Sequence, residues 1–203
     1  MKLTRKVKRI TVKKCFVASQ YIRKHRSSKK RFLPKLAREE FLEKLKDAKE
    51  YVDNMQEENL DELIKNEDPK RLRQYNSLNW YEGNASPQEI SVWKRAGGLP
   101  LAWTNKNLLK TAKLVKKSLE FNNRKLSARS KRAIPRMMGF LDLIENEKYL
   151  YPIIVRDNAR GRKYLKKYKG SLDDGNMRAI ALTISGRKNI KAFIGVSNKT
   201  NQA

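Results

Sequence analysis

Cysteine and histidine are nearly absent from this chain of 203 residues, which has one of each, Cys15 and His25. A single cysteine excludes a disulfide within the chain and is typical of a reducing compartment. One cysteine and one histidine are also too few for the usual zinc sites. They argue equally against Ser-His-Asp or Cys-His catalysis, and His25 lies among lysines and arginines, as on a basic surface.

Long apolar runs are missing as well. No stretch of about 18 apolar residues occurs, so we expect no membrane-spanning helix. The first residues are charged at once, without an apolar segment, and we expect no secretory signal. These two features predict a cytoplasmic protein.

Acidic residues are absent from the first 38 positions, although the whole chain has 21. With 48 lysines and arginines, the formal net charge is +27. Such an excess creates a field that favours a polyanionic partner. We predict nucleic acid, DNA in preference to RNA, and no membrane partner. An anionic membrane surface ranks second, and charge that only keeps the chain soluble ranks third.

Two basic segments contain the residues expected to contact phosphates. The first, residues 1–38, has apolar side chains among its cations, which is typical of an arm that folds or packs on binding. The second, residues 157–169, includes Tyr164 and Tyr168, which could stack on bases or pack on their own domain. The predicted nucleic-acid-binding residues are Lys13, Lys14, Arg23, Lys24, Arg26, Lys29, Lys30, Arg31, Arg160, Arg162, Lys163, Lys166 and Lys167.

Residues 36–65 predict one long amphipathic helix, with an apolar stripe that includes Leu45, Val52 and Met55. More than half of the acidic residues fall between Glu39 and Asp68, so we expect this helix to pack on the core rather than face nucleic acid. Proline after Asp68 ends it. The predicted organisation is a basic arm with an acidic helix (1–69), a second domain (70–196) with helical segments at about 86–132, and a tail (197–203).

The middle of the chain predicts a strand at 77–81, a turn at 82–85 and a helix that begins at Ser86 and Pro87. That helix is expected to stop at Gly97-Gly98. Thr104 is expected to cap the next helix, whose lysines form a basic face, and a further helix is expected to begin at 133–135.

The C-terminal third predicts a strand at 151–156, an acidic–glycine turn, a buried helix at 176–185 and a last strand at 190–196. A glycine turn that opens a helix leaves backbone N–H groups unpaired, and such groups bind anions. Arg178, in the first helical turn, adds a fork of donors suited to phosphate. We therefore predict a small anion site beside the carboxylates of Asp173 and Asp174.

These residues resemble the ParB/sulfiredoxin superfamily. Pro152 to Arg156 is similar to that family's Pro-Ile-Ile-Val-Arg strand, residues 174–178 to its Asp-Gly-Asn-His-Arg turn, and residues 190–195 to its last strand. Trp80 to Ala85 is similar to the family's entry segment, with Ser86 in place of an arginine. Met177 stands where the family usually has histidine. Asn176 stands where sulfiredoxin has its cysteine, so the likeness does not imply reductase activity.

The resemblance implies an α/β (α+β) fold, a small mixed sheet with a helical, basic N-terminal extension. It implies a nucleotide-dependent phosphotransferase, a kinase acting on DNA or on a DNA-linked hydroxyl, with ATP, ADP or CTP bound and Mg²⁺ as an additional candidate. The implied catalytic residues are Asp174, Asp173 and Glu82. The implied phosphate-binding residues are Gly175, Asn176, Met177, Arg178 and Asn84.

Two further interpretations stay open. One is a non-catalytic or CTP-gated DNA-binding protein, although no helix-turn-helix follows the motif as it does in ParB. The other is a nuclease that binds metal through carboxylates such as Asp157. A small, very basic chain with a ParB-like domain predicts an origin in a phage or mobile element, acting in a bacterial cytoplasm. The sequence assigns neither metal ligands nor an oligomeric state.

Overall fold

A computed structural model describes residues 1–24, 34–120, 128–145, 151–157 and 167–197, with the backbone alone for 23–24, 34–41 and 128–132. One mixed sheet has the strand order β1-β2-β6-β4-β5-β3. Its strands are β1 (Lys2–Lys6), β2 (Leu78–Ala85), β3 (Ile90–Ser91), β4 (Ile153–Asp157), β5 (Gly170–Asp174) and β6 (Ile190–Ser197). The helices are α1 (Arg9–Lys24), α2 (Pro34–Asp53), α3 (Glu57–Glu67), α4 (Pro69–Ser77), α5 (Leu108–Glu120), α6 (Ala128–Glu145) and α7 (Asn176–Ile184).

Strand β6 lies at the centre of the sheet. It pairs antiparallel with β2 along its whole length and parallel with β4. Because successive side chains of a strand point to opposite faces, Phe193 packs in one core and Ile194 in the other. Helices α5, α6 and α7 cover the Ile194 face, and α1, α3 and α4 cover the Phe193 face. The expected mixed α/β fold is confirmed, as a three-layer arrangement.

Residues 1–24 and 34–69, which the structure describes, belong to this same fold. Strand β1 pairs antiparallel with β2 at one edge of the sheet. On α1 and α3, Val12, Phe16 and Leu60 are buried against the face that carries Phe193. We expected an arm that folds or packs on binding, and in the structure the apolar residues of α1 complete a core within the chain itself.

The predicted single helix at 36–65 is wrong. Helix α2 ends at Asp53 and α3 begins at Glu57. Gln56 between them has extended backbone, with φ −72° and ψ 160°. This break lets Val52 and Leu60 pack in the same core from two helices. The predicted end at Asp68 is correct, and its carboxylate accepts hydrogen bonds from the first backbone N–H groups of α4.

Several elements of the middle of the chain also differ from prediction. Residues 82–85 continue β2 rather than turning, since the pairing with β6 extends to Ala85. Ser86 begins a tight turn, not a helix, with Glu89 N–H donating to its carbonyl. Asn107 caps α5 in place of Thr104. Helix α6 begins at Ala128, and Pro135 lies inside it.

The strand before the acidic–glycine turn is β5, which sequence reasoning missed.

In the part of the chain that the structure describes, no helix is both long and apolar enough to cross a membrane.

Candidate functional site

The acidic–glycine turn joins β5 to α7. Gly175 has a positive φ of 85° and precedes the first helical residue. A Cβ at this position would lie 2.9 Å from Arg178 Nη2 and 3.0 Å from Ile153 Cγ2. Ala179 N–H donates to the Gly175 carbonyl, which leaves the N–H groups of residues 176–178 without intrahelical partners. Both backbone conformation and space therefore require glycine here.

A β-bulge places the two carboxylates of the turn. Ile154 pairs with Asp174, but Val155 pairs with Leu172, so Asp173 is an extra residue in β5. The Tyr75 hydroxyl of α4 donates to Asp173. Arg178 donates both to Asp174 and to Ser19 of α1. Neighbouring strand residues normally face opposite ways, but the bulge turns both carboxylates toward the same helical layer.

Asp173 is enclosed by cations. Its side chain is 1% exposed, and Arg71 Nε lies 3.1 Å and Arg156 Nη2 2.9 Å from its oxygens. Tyr75 donates its hydroxyl to the same carboxylate at 2.7 Å. Burial and the neighbouring Asp173 carboxylate raise the pKa of Tyr75 well above its ordinary value. Burial is the largest single effect on the pKa of Arg71 and acts to lower it, but Asp173, Tyr75, Asp68 and Asp174 together outweigh burial and raise that pKa.

Arg178 is turned into the protein. The residue is 5% exposed. Its Nη1 donates to the Tyr151 carbonyl, and its Nη2 donates to Ser19 Oγ and to Asp174 Oδ2, each at 3.0 Å. The Arg178 guanidinium, which was predicted to bind a phosphate, thus joins α7 to α1 and to Tyr151, two residues before β4.

The two residues before Arg178 differ in their surroundings. Met177 is buried against the loop before α5, where a Cβ on Gly97 would lie 2.2 Å from its sulfur. Asn176 is half-buried, and its Oδ1 has no hydrogen-bond partner among the described residues. The methionine at the family's histidine position is therefore a core residue.

Glu82 and Asn84 are not close to the turn. A row of paired residues, Glu82, Phe193, Ile154 and Asp174, crosses four adjacent strands. Three strand spacings separate Glu82 from Asp174 by about 14 Å. Arg5 binds the Glu82 carboxylate through two nitrogens, and this hydrogen bonding lowers the pKa of Glu82. Asn84 is on β2 and pairs with Lys191 of β6. Because β2 is further from β5 than β6 is, Asn84 is also distant from the turn.

The described residues therefore bring Asp173, Asp174 and Arg178 together and leave Glu82 apart. Within those residues, no three Asp, Glu, Cys or His side chains are grouped to hold a metal ion. The carboxylates of the turn bind arginines instead. They do not form the open oxygen-rich site that Mg²⁺ requires.

Cys15 lies beside this cluster on α1. Its Sγ is 3.5 Å from the Pro152 carbonyl. Burial raises the pKa of the thiol to about 12, although the nearby Arg178 opposes this effect. Since the thiolate is the reactive form, the folded protein holds this cysteine inert at neutral pH.

The predicted phosphate contacts of the N-terminal segment have mixed outcomes. Lys13 was expected on the surface, but it is 1% exposed, and its Nζ lies 2.6 Å from Glu57 and 2.5 Å from Asp61. Lys14 donates to the Asp53 carbonyl at 2.6 Å. The side chains outside the described part of the chain are those of Arg23, Lys24, Arg26, Lys29, Lys30, Arg31, Arg160, Arg162, Lys163 and Lys166.

A basic groove lies at the edge of the sheet where β3 pairs parallel with the first residues of β5. Its volume is about 400 Å³. We call it the α5 groove, and its polar lining consists of Gln88, Asn107, Lys110, Lys113, Lys167 and Tyr168. Of these, the sequence predicted Lys167 as a phosphate contact and Tyr168 as a candidate for stacking on bases, but not the lysines of α5. The signal was present, since the 30 residues from 90 to 119 contain seven lysines and arginines and no acid.

Comparisons with models of known protein families, with curated proteins and with solved structures found no match. The likeness to the ParB/sulfiredoxin superfamily stays a prediction from its motif residues.

Proposed function

We propose that this protein binds nucleic acid, DNA in preference to RNA, through the α5 groove. The observation that carries the proposal is a groove with lysines on both walls. Lys110 and Lys113 come from α5, and Lys167 comes from the segment that enters β5. All three are exposed.

The lysines of α5 form a continuous surface. Lys110, Lys113 and Lys117 are spaced by three and four residues, so they share one side of the helix. Each is exposed. From Lys110 to Lys117 this row extends about 10 Å along the helix axis. A nucleic-acid backbone that follows the row meets several ammonium groups in turn.

The chemistry of the groove favours backbone contact over base readout. Lysine ammonium groups bind phosphates as point charges and carry little sequence information. Asn107 already donates its side-chain amide to the Gln88 carbonyl at 2.9 Å, so it supports the groove wall. We therefore infer binding with little sequence preference.

The test is binding of a fluorescent oligonucleotide, followed by anisotropy at about 50 to 200 mM salt. Six or more phosphate contacts should lower the affinity by roughly 10³-fold over this range. The double variant Lys110→Gln, Lys113→Gln should bind more weakly to every sequence, and its salt slope should be smaller by about two.

A matched control keeps the same loss of charge but moves it elsewhere. Lys46→Gln, Lys49→Gln alters two exposed lysines on the acidic helix α2 and should leave the affinity and its salt slope nearly unchanged. Equal weakening by both double variants, or no binding at about 50 mM salt, would contradict the proposal.

The acidic–glycine turn supports a second candidate, nucleotide-dependent phosphoryl transfer, through the three unpaired N–H groups at the start of α7. Among its predicted catalytic residues, Asp174 has a side chain that is 16% exposed and Asp173 one that is 1% exposed. Asp174 alone of these two is placed to reach a ligand. Incubation with labelled ATP or CTP, with and without DNA and Mg²⁺, tests this candidate. Transfer of label that Asp174→Asn abolishes would support it, and no binding at millimolar nucleotide would exclude it.

A further inference from the structure

Trp93 is an exposed tryptophan in a protein whose other tryptophans are buried. Its exposed fraction is 65%, against 1% for Trp80 and 5% for Trp103. Tryptophan side chains are highly buried on average, because they remove a large apolar area from water. An indole left in solvent therefore calls for a partner that covers it.

The position of Trp93 connects it to the α5 groove. It follows β3 by two residues, and the preceding Val92 N–H donates to the Lys106 carbonyl at 2.9 Å. One step further back, Ser91 pairs with Asn107, which lines the groove. Since consecutive Cα atoms are about 3.8 Å apart, Trp93 lies beside the groove at the start of α5.

The surroundings of Trp93 are cationic. Lys94 and Arg95 follow Trp93 and are exposed. Lys106 lies on the neighbouring segment, where its carbonyl accepts the Val92 N–H. No acidic residue occurs between Glu89 and Glu120. An aromatic surface among cations matches a partner with flat apolar faces and negative charge, which is the chemistry of a nucleic-acid strand.

The turn that carries Trp93 is held by hydrogen bonds. Ala96 N–H donates to the Trp93 carbonyl at 3.2 Å. Arg95 adopts a left-handed conformation, with φ 58°, and its N–H donates to Thr104 Oγ1 at 3.1 Å. A non-glycine residue at positive φ persists where surrounding contacts fix it. The indole is thus presented from a fixed turn rather than from a loose loop.

We propose that Trp93 stacks on an unpaired base, so that the α5 groove binds single-stranded nucleic acid in preference to a duplex. This inference rests on the proposed function and specifies its substrate class. Lysines of the groove hold the backbone while the indole covers a base face, and such stacking accepts any base. In a duplex the base faces are already stacked, and the indole reaches them only by opening a step.

The experiment compares an oligo(dT) 20-mer with a duplex of the same length, using far-UV circular dichroism to confirm that each variant folds. Trp93→Ala should weaken binding of the single strand by roughly 5- to 150-fold, the equivalent of losing one stacked base, and leave duplex binding unchanged. Trp93→Phe should retain part of the affinity. Leu101→Ala, a control at another exposed apolar residue before α5 (48% exposed), should bind both as the wild type does.

Fluorescence gives an independent readout. Because Trp93 alone of the three tryptophans is exposed, bound oligo(dT) should quench the wild-type emission and protect it from acrylamide. Trp93→Phe should lose this response while it still binds.

Failure of this inference is distinguishable from failure of the proposed function. If Trp93→Ala binds the single strand as tightly as the wild type, or weakens both nucleic acids equally, the stacking role is overturned. The α5 groove still stands in that case if Lys110→Gln, Lys113→Gln weakens binding. A wild type that binds neither nucleic acid overturns both. Self-association that disappears in Trp93→Ala would assign the indole to a protein interface and also overturn the inference.

Discussion

Replacing Asp173 by asparagine tests what the acidic–glycine turn does. The carboxylate accepts the Tyr75 hydroxyl and lies 3.1 Å from Arg71 Nε on one oxygen and 2.9 Å from Arg156 Nη2 on the other. An asparagine amide fits the same space but has one acceptor oxygen. In either orientation its NH₂ group faces a donor, and two guanidinium groups lose their counter-charge.

The expected loss of stability is about 3 kcal/mol. Removing one partner of a buried ion pair costs about 3–5 kcal/mol, because the remaining charge is left unpaired. The side chains of Arg71 and Arg156 are each 23% exposed, so water partly solvates them and the lower end applies. For a chain of this size, 3 kcal/mol corresponds to a fall in Tm of about 6–12 °C.

Urea unfolding, followed by circular dichroism and by tryptophan fluorescence, measures this loss. The midpoint should fall with little change in m. Glu82→Gln is the matched control. Its partner Arg5 has a side chain that is 74% exposed, and exposed ion pairs contribute little, so this variant should unfold near the wild type.

A double variant separates the arginine contacts from the rest. Asp173→Asn combined with Arg156→Gln should lose less stability than the two single variants added together, because they share one interaction. An Asp173→Asn protein that is as stable as the wild type but has lost nucleotide turnover would refute this reasoning and make Asp173 catalytic.

Three further predictions concern Gly175, the last strand and Cys15. Gly175→Ala should lower the Tm more than Gly186→Ala. Both positions have positive φ, but only at Gly175 would an added Cβ lie against neighbouring atoms. Equal losses of Tm in the two variants would contradict the packing described. A chain that ends at Asn189 should give no cooperative melt, because it lacks the central strand β6, whereas one that ends at Ser197 should melt as the full chain does. The buried Cys15 thiol has its pKa raised from 9.0 to about 12, so its contribution to stability is complete below pH 9.0 and is lost as the pH rises toward 12. Cys15→Ala should therefore lose less stability than the wild type between these two pH values in urea melts.

The sequence predicted β4, α7 and β6 because their signals are local. Residues 190–196 are apolar and β-branched, Gly175 marks a left-handed turn, and Gly186, with φ 81°, ends α7. In β6 the opposite faces of neighbouring residues also followed from alternation, as Phe193 and Ile194 show.

The errors arose where tertiary pairing overrode local preference. Ser86-Pro87 is a strong helix start, yet the chain there leaves β2 and enters β3, which pairs with β5 about 80 residues later in the chain. Strand β5 carries Asp173 and Asp174, residues that favour turns over strands. Its strand form depends on pairing with β4 and on a bulge that no sequence pattern marks.

For a related reason, the sequence alone does not show that Arg178 of the candidate site pairs with Asp174 inside the protein. A carboxylate and an arginine four residues apart predict a phosphate clamp and an internal ion pair equally well, and only burial distinguishes them. Lys13 illustrates the same ambiguity, since a lysine in a basic stretch proves to be buried between Glu57 and Asp61 of α3.

The acidic–glycine turn and the α5 groove are different parts of this very basic protein. The positions of the acidic residues explain the difference between them. Asp173 and Asp174 neutralise arginines that would otherwise be buried without counter-charge. No residue that lines the α5 groove is acidic, and its three lysines are exposed. The turn is thus needed to build the fold whether or not any chemistry occurs there, and a resemblance of its residues to those of an enzyme family does not imply that family's reaction. The proposed nucleic-acid surface requires exposed cations in a groove, and Lys110, Lys113 and Lys167 are such cations at α5.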